Sequence, residues 1–199
     1  VSRVAGLIRD IFTTNLLGAS IFHDIFVVVL KIPNVFRKLF AEGAFSQAFI
    51  PIYSEYIGSK DEKGSQDFLN ALFGILLSAL FIFTTLALLF APVFILIFAP
   101  GFYFDIQKQD LAVSLLRIMF PYLALISLVA FAAGIQNSHN KFSIPALTPL
   151  IFNLSLIGSA WLVAPKIDIP VMALAWGVLL AGFLQLLLIT LLIVRIGIG

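Results

Sequence analysis

The sequence predicts an all-α integral membrane protein, a bundle of six transmembrane helices, and three observations predict it. Of the 199 residues, 61% are hydrophobic and 11% charged, against the roughly 25% charged that a soluble domain carries. Mean hydropathy is +1.12. Uncharged runs of 37, 24 and 26 residues extend over 68–104, 142–165 and 169–194, each longer than the roughly 20 residues with which a helix crosses hydrocarbon. Backbone amides find no water inside a bilayer, so such runs must be helical; the ten-residue alternation of a membrane barrel is absent.

The first segment covers about 1–17 and is closed by Gly18, a usual helix terminator. The second, about 21–57, is too long for one straight crossing, and Pro33 and Gly43 mark a break near 33–43. The polar run GSKDEKGSQD, 58–67, reads as a loop. A third segment follows over about 68–98 and ends at APGFYFDIQKQD, and a fourth over about 111–136 carries Pro121. A turn at NSHNKFS leads to the fifth, about 144–163; APKIDIP leads to the sixth, about 171–194. Val1 is not Met and no signal peptide precedes it, so the expectation is a start trimmed inside the first helix. If that start is cytoplasmic, inside connections carry Lys60, Lys63, Lys141 and Arg195 and outside ones Lys108 and Lys166, a bias that places the chain's start inside.

Several chemistries are disfavoured at once. The chain has no cysteine, hence no disulfide framework and no thiolate metal site. His23 and His139 lack metal-ligand spacing and read as ordinary polar residues at helix ends. A net charge of +2, scattered along the chain, does not suggest nucleic acid.

The placement of the charges is the informative feature. A charged side chain near the centre of a membrane helix costs about 2.5–3.5 kcal/mol on insertion scales, so it marks a polar cavity, a pathway or an ion pair. Segments three, five and six are uncharged, whereas the first two hold Arg3, Arg9, Asp10, Asp24, Lys31, Arg37, Lys38, Glu42 and Glu55, and the fourth adds Arg117. The first two helices must therefore face something wet. At helical spacing Arg3 falls with Asp10, Ser2 with Arg9 and Asp24 with Lys31, while Lys31, Asn34 and Lys38 share a stripe with Glu42 one turn beyond. Plainer readings stay open: Lys38 and Arg117 at headgroup level by snorkelling, Arg3–Asp10 or Lys38–Glu42 as structural ion pairs. Near-neutrality of this region shifts the weight from net charge to arginine, whose planar fork suits phosphate oxygens and keeps its charge. Pro33, Gly43 and Pro51 beside the charges read as a hinge or substrate site, and Pro92, Pro121, Pro145 and Pro149 as packing and kink devices.

Six stretches carry a family resemblance: SRVAGLIRD at 2–10, KIPNVFRKLFAEGAFSQAFIPIYSEY at 31–56, APGF at 99–102, LLRIMFPYLALISL at 115–128, NKFSIPALTPLIFNLSLIG at 140–158 and ALAWG at 173–177. Together they resemble the MurJ (formerly MviN) family of lipid II flippases, within the multidrug/oligosaccharidyl-lipid/polysaccharide exporter superfamily. The long PNxxRxxxAEGAFSQAFxP signature, 33–51, is highly specific. The resemblance implies one lobe, the N-terminal, of a two-lobe alternating-access transporter, with the C-terminal lobe absent from 1–199. It implies a cationic central cavity for the pyrophosphate and sugar headgroup of lipid II, in the bacterial inner membrane. Carried over, Arg9 and Arg37 are the primary pyrophosphate partners, supported by Arg3, Asn34 and Ser2. Asp10, Asp24 and Glu42 serve as gate or ion-pair residues, and Lys31 is a weaker contributor. Lys38 stands where relatives often carry a second arginine, so it is left outside the primary site.

The leading expectation is thus a flippase rather than an enzyme, needing no cofactor and driven by an unidentified coupling ion or the membrane potential, since no GxxxxGK[ST] nucleotide loop occurs. Its partners would be lipid II, membrane lipids, the second lobe and other peptidoglycan-synthesis proteins. A multidrug or toxin exporter of the same superfamily is the alternative, expected to show a more apolar pocket and fewer arginines. A scaffold of the cell-wall machinery is the alternative of another class. An intramembrane enzyme on a lipid pyrophosphate lacks a general acid or base near the arginines.

Overall fold

The computed structural model describes residues 2–18, 20–38, 44–59, 62–139 and 147–196. Among these the secondary structure is helical throughout, with no strand. Ten α-helices follow in order: α1 Ser2–Leu17, α2 Ile21–Arg37, α3 Ala44–Ser59, α4 Glu62–Leu89, α5 Ala91–Phe98, α6 Pro100–Tyr103, α7 Ile106–Met119, α8 Tyr122–Ser138, α9 Thr148–Gly158 and α10 Pro170–Ile196. A π-helical turn, Ser159–Val163, and a 3-10 turn, Ala164–Lys166, extend α9.

Four stretches are long and apolar enough to cross a bilayer: Lys63–Leu89, Ile106–Ser138, Thr148–Lys166 and Pro170–Ile193. Helices α1, α2 and α3 have 16, 17 and 16 residues, about 25 Å each at 1.5 Å per residue and short of the ~30 Å hydrocarbon core. Six full-length spans are therefore not reproduced among the described residues. The expected second segment is described as two helices, α2 and α3; residues 39–43 between them, Glu42 and Gly43 included, lie outside the described residues. Pro33 does not break the chain; it sits inside α2. Of the expected loop at 58–67, Gly58 and Ser59 end α3 and 62–67 begin α4, while 60 and 61 lie outside the described residues; Lys63 and Gln66, with long straight side chains, lose little freedom in a helix.

Prolines shape the long spans. Pro121 lacks an N–H, and the ladder there tightens: Leu123 N–H bonds the Phe120 carbonyl at 2.9 Å, so α7 and α8 form one span with a joint. Pro92 likewise leaves the Leu88 carbonyl without its helical donor. Arg117 Nε supplies one from α7, 3.3 Å away. Asp105 starts α7 by accepting from the Lys108 backbone N–H at 3.3 Å, and its carboxylate also pairs with Lys108 Nζ at 2.8 Å. These contacts, the Lys108 ammonium first, hold the Asp105 carboxyl below the usual carboxylate range.

Helix α10, apolar apart from Gln185, Thr190 and Arg195, packs against α8, α9 and α7; α1 packs on α9, α2 on α7 and α8, and α3 on α8 and α4. Gly177 and Gly182 let it approach closely: a Cβ at 177 would collide with Ser159, and one at 182 would stand 2.9 Å from Tyr122 and Leu125 side-chain carbons. One aromatic cluster joins Phe36 of α2 to Phe83, Phe94, Phe98 and the fully buried Phe120, with centroids 4.9 Å apart for Phe36–Phe83 and 6.1 Å for Phe36–Phe120. A second stacks Phe49 on Tyr53 at 5.3 Å and joins α3 to Phe68 of α4 and Phe131 of α8. Together they fix α2 and α3 against the bundle, leaving the polar side of α2 toward α1 and α9.

Candidate functional site

A cavity of about 750 Å³ opens between α1, α2, α8, α9 and α10. Helix α2 lines it over its whole length, from His23 to Lys38, because positions 23, 27, 30, 31, 34 and 38 recur at three- and four-residue steps. Phe36, one residue before Arg37, sits roughly a quarter-turn away around the helix and is locked in the aromatic cluster. That anchor presents Arg37 and Asn34 to the cavity. Asn34 Nδ2 donates to the Leu30 carbonyl at 3.0 Å, and Arg37 Nε donates to Asn34 Oδ1 at 3.3 Å, so the amide is a bracket that orients the guanidinium.

Arg9 is held between two helices. Its Nε and Nη2 both donate to Asp10 Oδ1, at 3.0 and 2.6 Å, and its Nη1 donates to Asn153 Oδ1 of α9 at 3.1 Å. Close packing of α1 on α9 allows this reach: a Cβ on Gly6 would lie 3.9 Å from Asn153 Nδ2. Asn153 is buried, whereas the Arg9 side chain keeps 27% of its surface. Thr13 Oγ1 donates to the Asp10 carbonyl at 3.1 Å on the same wall.

The described lining carries four cations, Arg9, Lys31, Arg37 and Lys38, against one acid, Asp10. Such an excess, walled partly by apolar side chains of α8 and α9, focuses a positive potential on the interior. The opposite wall is uncharged but polar, with Asn153 and Thr148 of α9 and Gln185 of α10. Gln185 Nε2 donates to the Thr148 carbonyl at 2.6 Å.

Of the residues expected at the site, the structure brings Arg9, Asp10, Lys31, Asn34 and Arg37 to the cavity, and it adds Lys38. Arg3 and Asp24 are exposed and do not line it. The side chain of Ser2 and all of Glu42 lie outside the described residues. Asp10 pairs with its neighbour Arg9 and not with Arg3, seven residues away, since the long arginine folds back along the helix surface and adjacency outweighs the stripe. Arg117 donates from Nε to the Leu88 carbonyl at 3.3 Å and stays exposed. Sequence reasoning missed Asn153, Gln185, Thr148 and the two cavity threonines Thr13 and Thr14, and it set His23 aside as a helix-end residue, whereas His23 lines the cavity with its Nδ1 lacking a hydrogen-bond partner among the described residues. A signal existed: each of the runs 144–163 and 171–194 contains a single amide side chain, Asn153 and Gln185.

Known proteins share this arrangement of helices. The family model described as Lipid II flippase MurJ matches residues 13–199. A lipid II flippase MurJ of Burkholderia cenocepacia is 40% identical over 187 residues, covering 94% of this chain and 36% of that protein. A probable lipid II flippase MurJ of Buchnera aphidicola from Acyrthosiphon pisum is 43% identical, covering 94% and 37%. A solved structure described as lipid II flippase MurJ in an inward closed conformation superposes with a TM-score of 0.77 at 32% identity, covering 94% of this chain and 40% of that one. The chain thus spans little more than a third of the length of the curated relatives it matches. By the family model and by these relatives, this multi-pass membrane chain belongs to the lipid II flippase MurJ family.

Proposed function

We propose that the chain forms the N-terminal lobe of a lipid II flippase and supplies the pyrophosphate-binding wall of its central cavity. The observation that carries this reading is the convergence of Arg9, Lys31, Arg37 and Lys38 on one cavity with Asp10 as the single described acid among the lining residues. Two arginines, each oriented by a neutral amide, offer fork-shaped donors to phosphate oxygens, and the two lysines add point charge. A multidrug exporter would be served by a more apolar pocket.

In this reading an undecaprenyl-pyrophosphate-linked disaccharide-peptide enters from the cytoplasmic leaflet of the inner membrane, with the chain's start on the cytoplasmic side. Its headgroup occupies the cavity while the tail stays in lipid, and alternation between inward and outward openings delivers it to the periplasmic leaflet. No bond is made or broken. The length that the relatives carry beyond the matched region supplies the second wall. Arg3, Ser2, Asp24 and Glu42 take their proposed parts, support and gating, in other conformations. Membrane potential or an ion gradient drives the cycle.

The test is Arg37→Ala in the full-length protein, read as lipid II exposed on the outer leaflet of cells depleted of the native flippase. Exposure is expected to collapse, with Arg37→Lys restoring only part of it. Undiminished exposure by a folded Arg37→Ala protein would overturn the reading.

A further inference from the structure

The cavity has two chemically different walls, and the uncharged one contains an unmet hydrogen-bonding group. Gln185 is 2% exposed, lines the cavity from α10, and commits its Nε2 to the Thr148 carbonyl at 2.6 Å. Its Oε1 has no hydrogen-bond partner among the described residues. A buried amide acceptor is normally paired, and this one, with almost no exposed surface of its own in a residue that lines the cavity, is met when the cavity's occupant brings a donor against it. The donor bond to Thr148 determines which end of the amide remains to accept, since a backbone carbonyl can bond only the NH₂ end. Asn153, also buried, uses its Oδ1 on Arg9, so the two amides divide the work: one steadies a cation, the other keeps an acceptor.

We infer that Gln185, braced by Thr148, is a subsite for the uncharged hydrogen-bond donors of the substrate headgroup, the hydroxyl and N-acetyl N–H groups of its sugars, separate from the arginines that take the pyrophosphate. This inference rests on the proposed flippase function. A single acceptor on α10 opposite a cationic α2 gives the cavity a direction: the anionic part of the ligand is drawn to α1 and α2, and the neutral polar part lies against α9 and α10. The site then separates a sugar-bearing lipid from the same lipid pyrophosphate without sugars, because a ligand lacking the donor leaves the acceptor unpaired. Cations alone cannot make that distinction.

The experiment compares two ligands on the purified full-length protein, lipid II and undecaprenyl pyrophosphate, measured as equilibrium binding. Gln185→Met keeps side-chain length and removes the acceptor. It is expected to weaken lipid II binding about fivefold to tenfold and to leave undecaprenyl pyrophosphate unchanged. Arg37→Ala is expected to weaken both ligands alike. Thermal unfolding checks that each variant folds; if Gln185→Met does not, Gln185→Asn, which keeps the amide but withdraws it by one methylene, is expected to give the same selective loss. Equal loss of both ligands in a folded Gln185 variant, or loss of neither, overturns the subsite. If Arg37→Ala spares both ligands, the pyrophosphate reading falls whatever Gln185 does, so the two failures are distinguishable.

Discussion

At the residue scale, the cavity depends less on how many charges it holds than on what holds them. Arg37 leans on the amide of Asn34, and Arg9 on the Asp10 carboxylate and the amide of Asn153, and these bonds decide where the guanidinium planes stand. Asn153→Ala should release Arg9 from α9 without removing any charge. A hydrogen bond to a charged group contributes about 1.5–3 kcal/mol, so we expect lipid II exposure to fall about tenfold or more, with the protein still present in the membrane by immunoblot; exposure equal to wild type would refute the bracketing role. Asn153→Asp should be as damaging, since a second carboxylate beside Arg9 cancels its field. Much of the cationic wall could be read from residues: helical spacing put Lys31, Asn34 and Lys38 on one stripe of α2, and the structure lines the cavity with that stripe. The amide wall could not, because one Asn and one Gln in otherwise apolar runs carry no periodicity, and only the packing of α1 on α9 shows that Asn153 meets Arg9.

At the element scale, helix ends and prolines are predictable from sequence where they change the backbone directly and unpredictable where a distant residue compensates. Gly18, with φ 61°, ends α1 as its position suggested. That Arg117 would satisfy the carbonyl left open by Pro92 could not be foreseen, because the two residues are brought together only by α5 and α7 packing. A double-mutant cycle tests the pairing: Arg117→Met should lower unfolding stability in detergent by about 1 kcal/mol, and by clearly less in a Pro92→Ala background, where Leu88 regains its helical donor. Additive losses would show that Arg117 acts elsewhere. Asp105→Ala should remove the α7 cap and lower unfolding stability by the same measurement. Because the folded Asp105 carboxyl titrates below its unfolded value, its contribution is complete above the ordinary carboxylate range and is lost as pH falls through the lower folded value. A stability difference between wild type and Asp105→Ala that persists unchanged in strong acid would contradict this.

At the scale of the whole molecule, the bundle is organised around α10, and two glycines set its distance from the neighbours. Gly177→Val should be strongly destabilising, by about 1–3 kcal/mol, since the new side chain must displace Ser159 and the π-helical turn; unfolding midpoints in detergent report it. All-helical membrane architecture was evident from uncharged runs alone. Four full-length spans stand among the described residues, where α1, α2 and α3 are shorter and most of the polar stretch at 58–67 belongs to the ends of α3 and α4. A run of apolar residues does not show which face of α10 meets a cavity. The chain expressed by itself, residues 1–199, is expected not to restore outer-leaflet lipid II in depleted cells, since the matched relatives are nearly three times as long; restored exposure would show that one wall suffices.

The pairing of Arg9 has a thermodynamic meaning for a carrier. Two of its donors already rest on a single oxygen of Asp10, so on the proposed function an arriving anion trades places with a resident one, and the protein gains only the difference between two similar attractions. A site of bare cations would hold its cargo too long to turn over. An exchange site holds it weakly enough to let go, and the departing ligand leaves behind a carboxylate ready to close over the arginine again, so capture and release become two directions of one nearly balanced equilibrium.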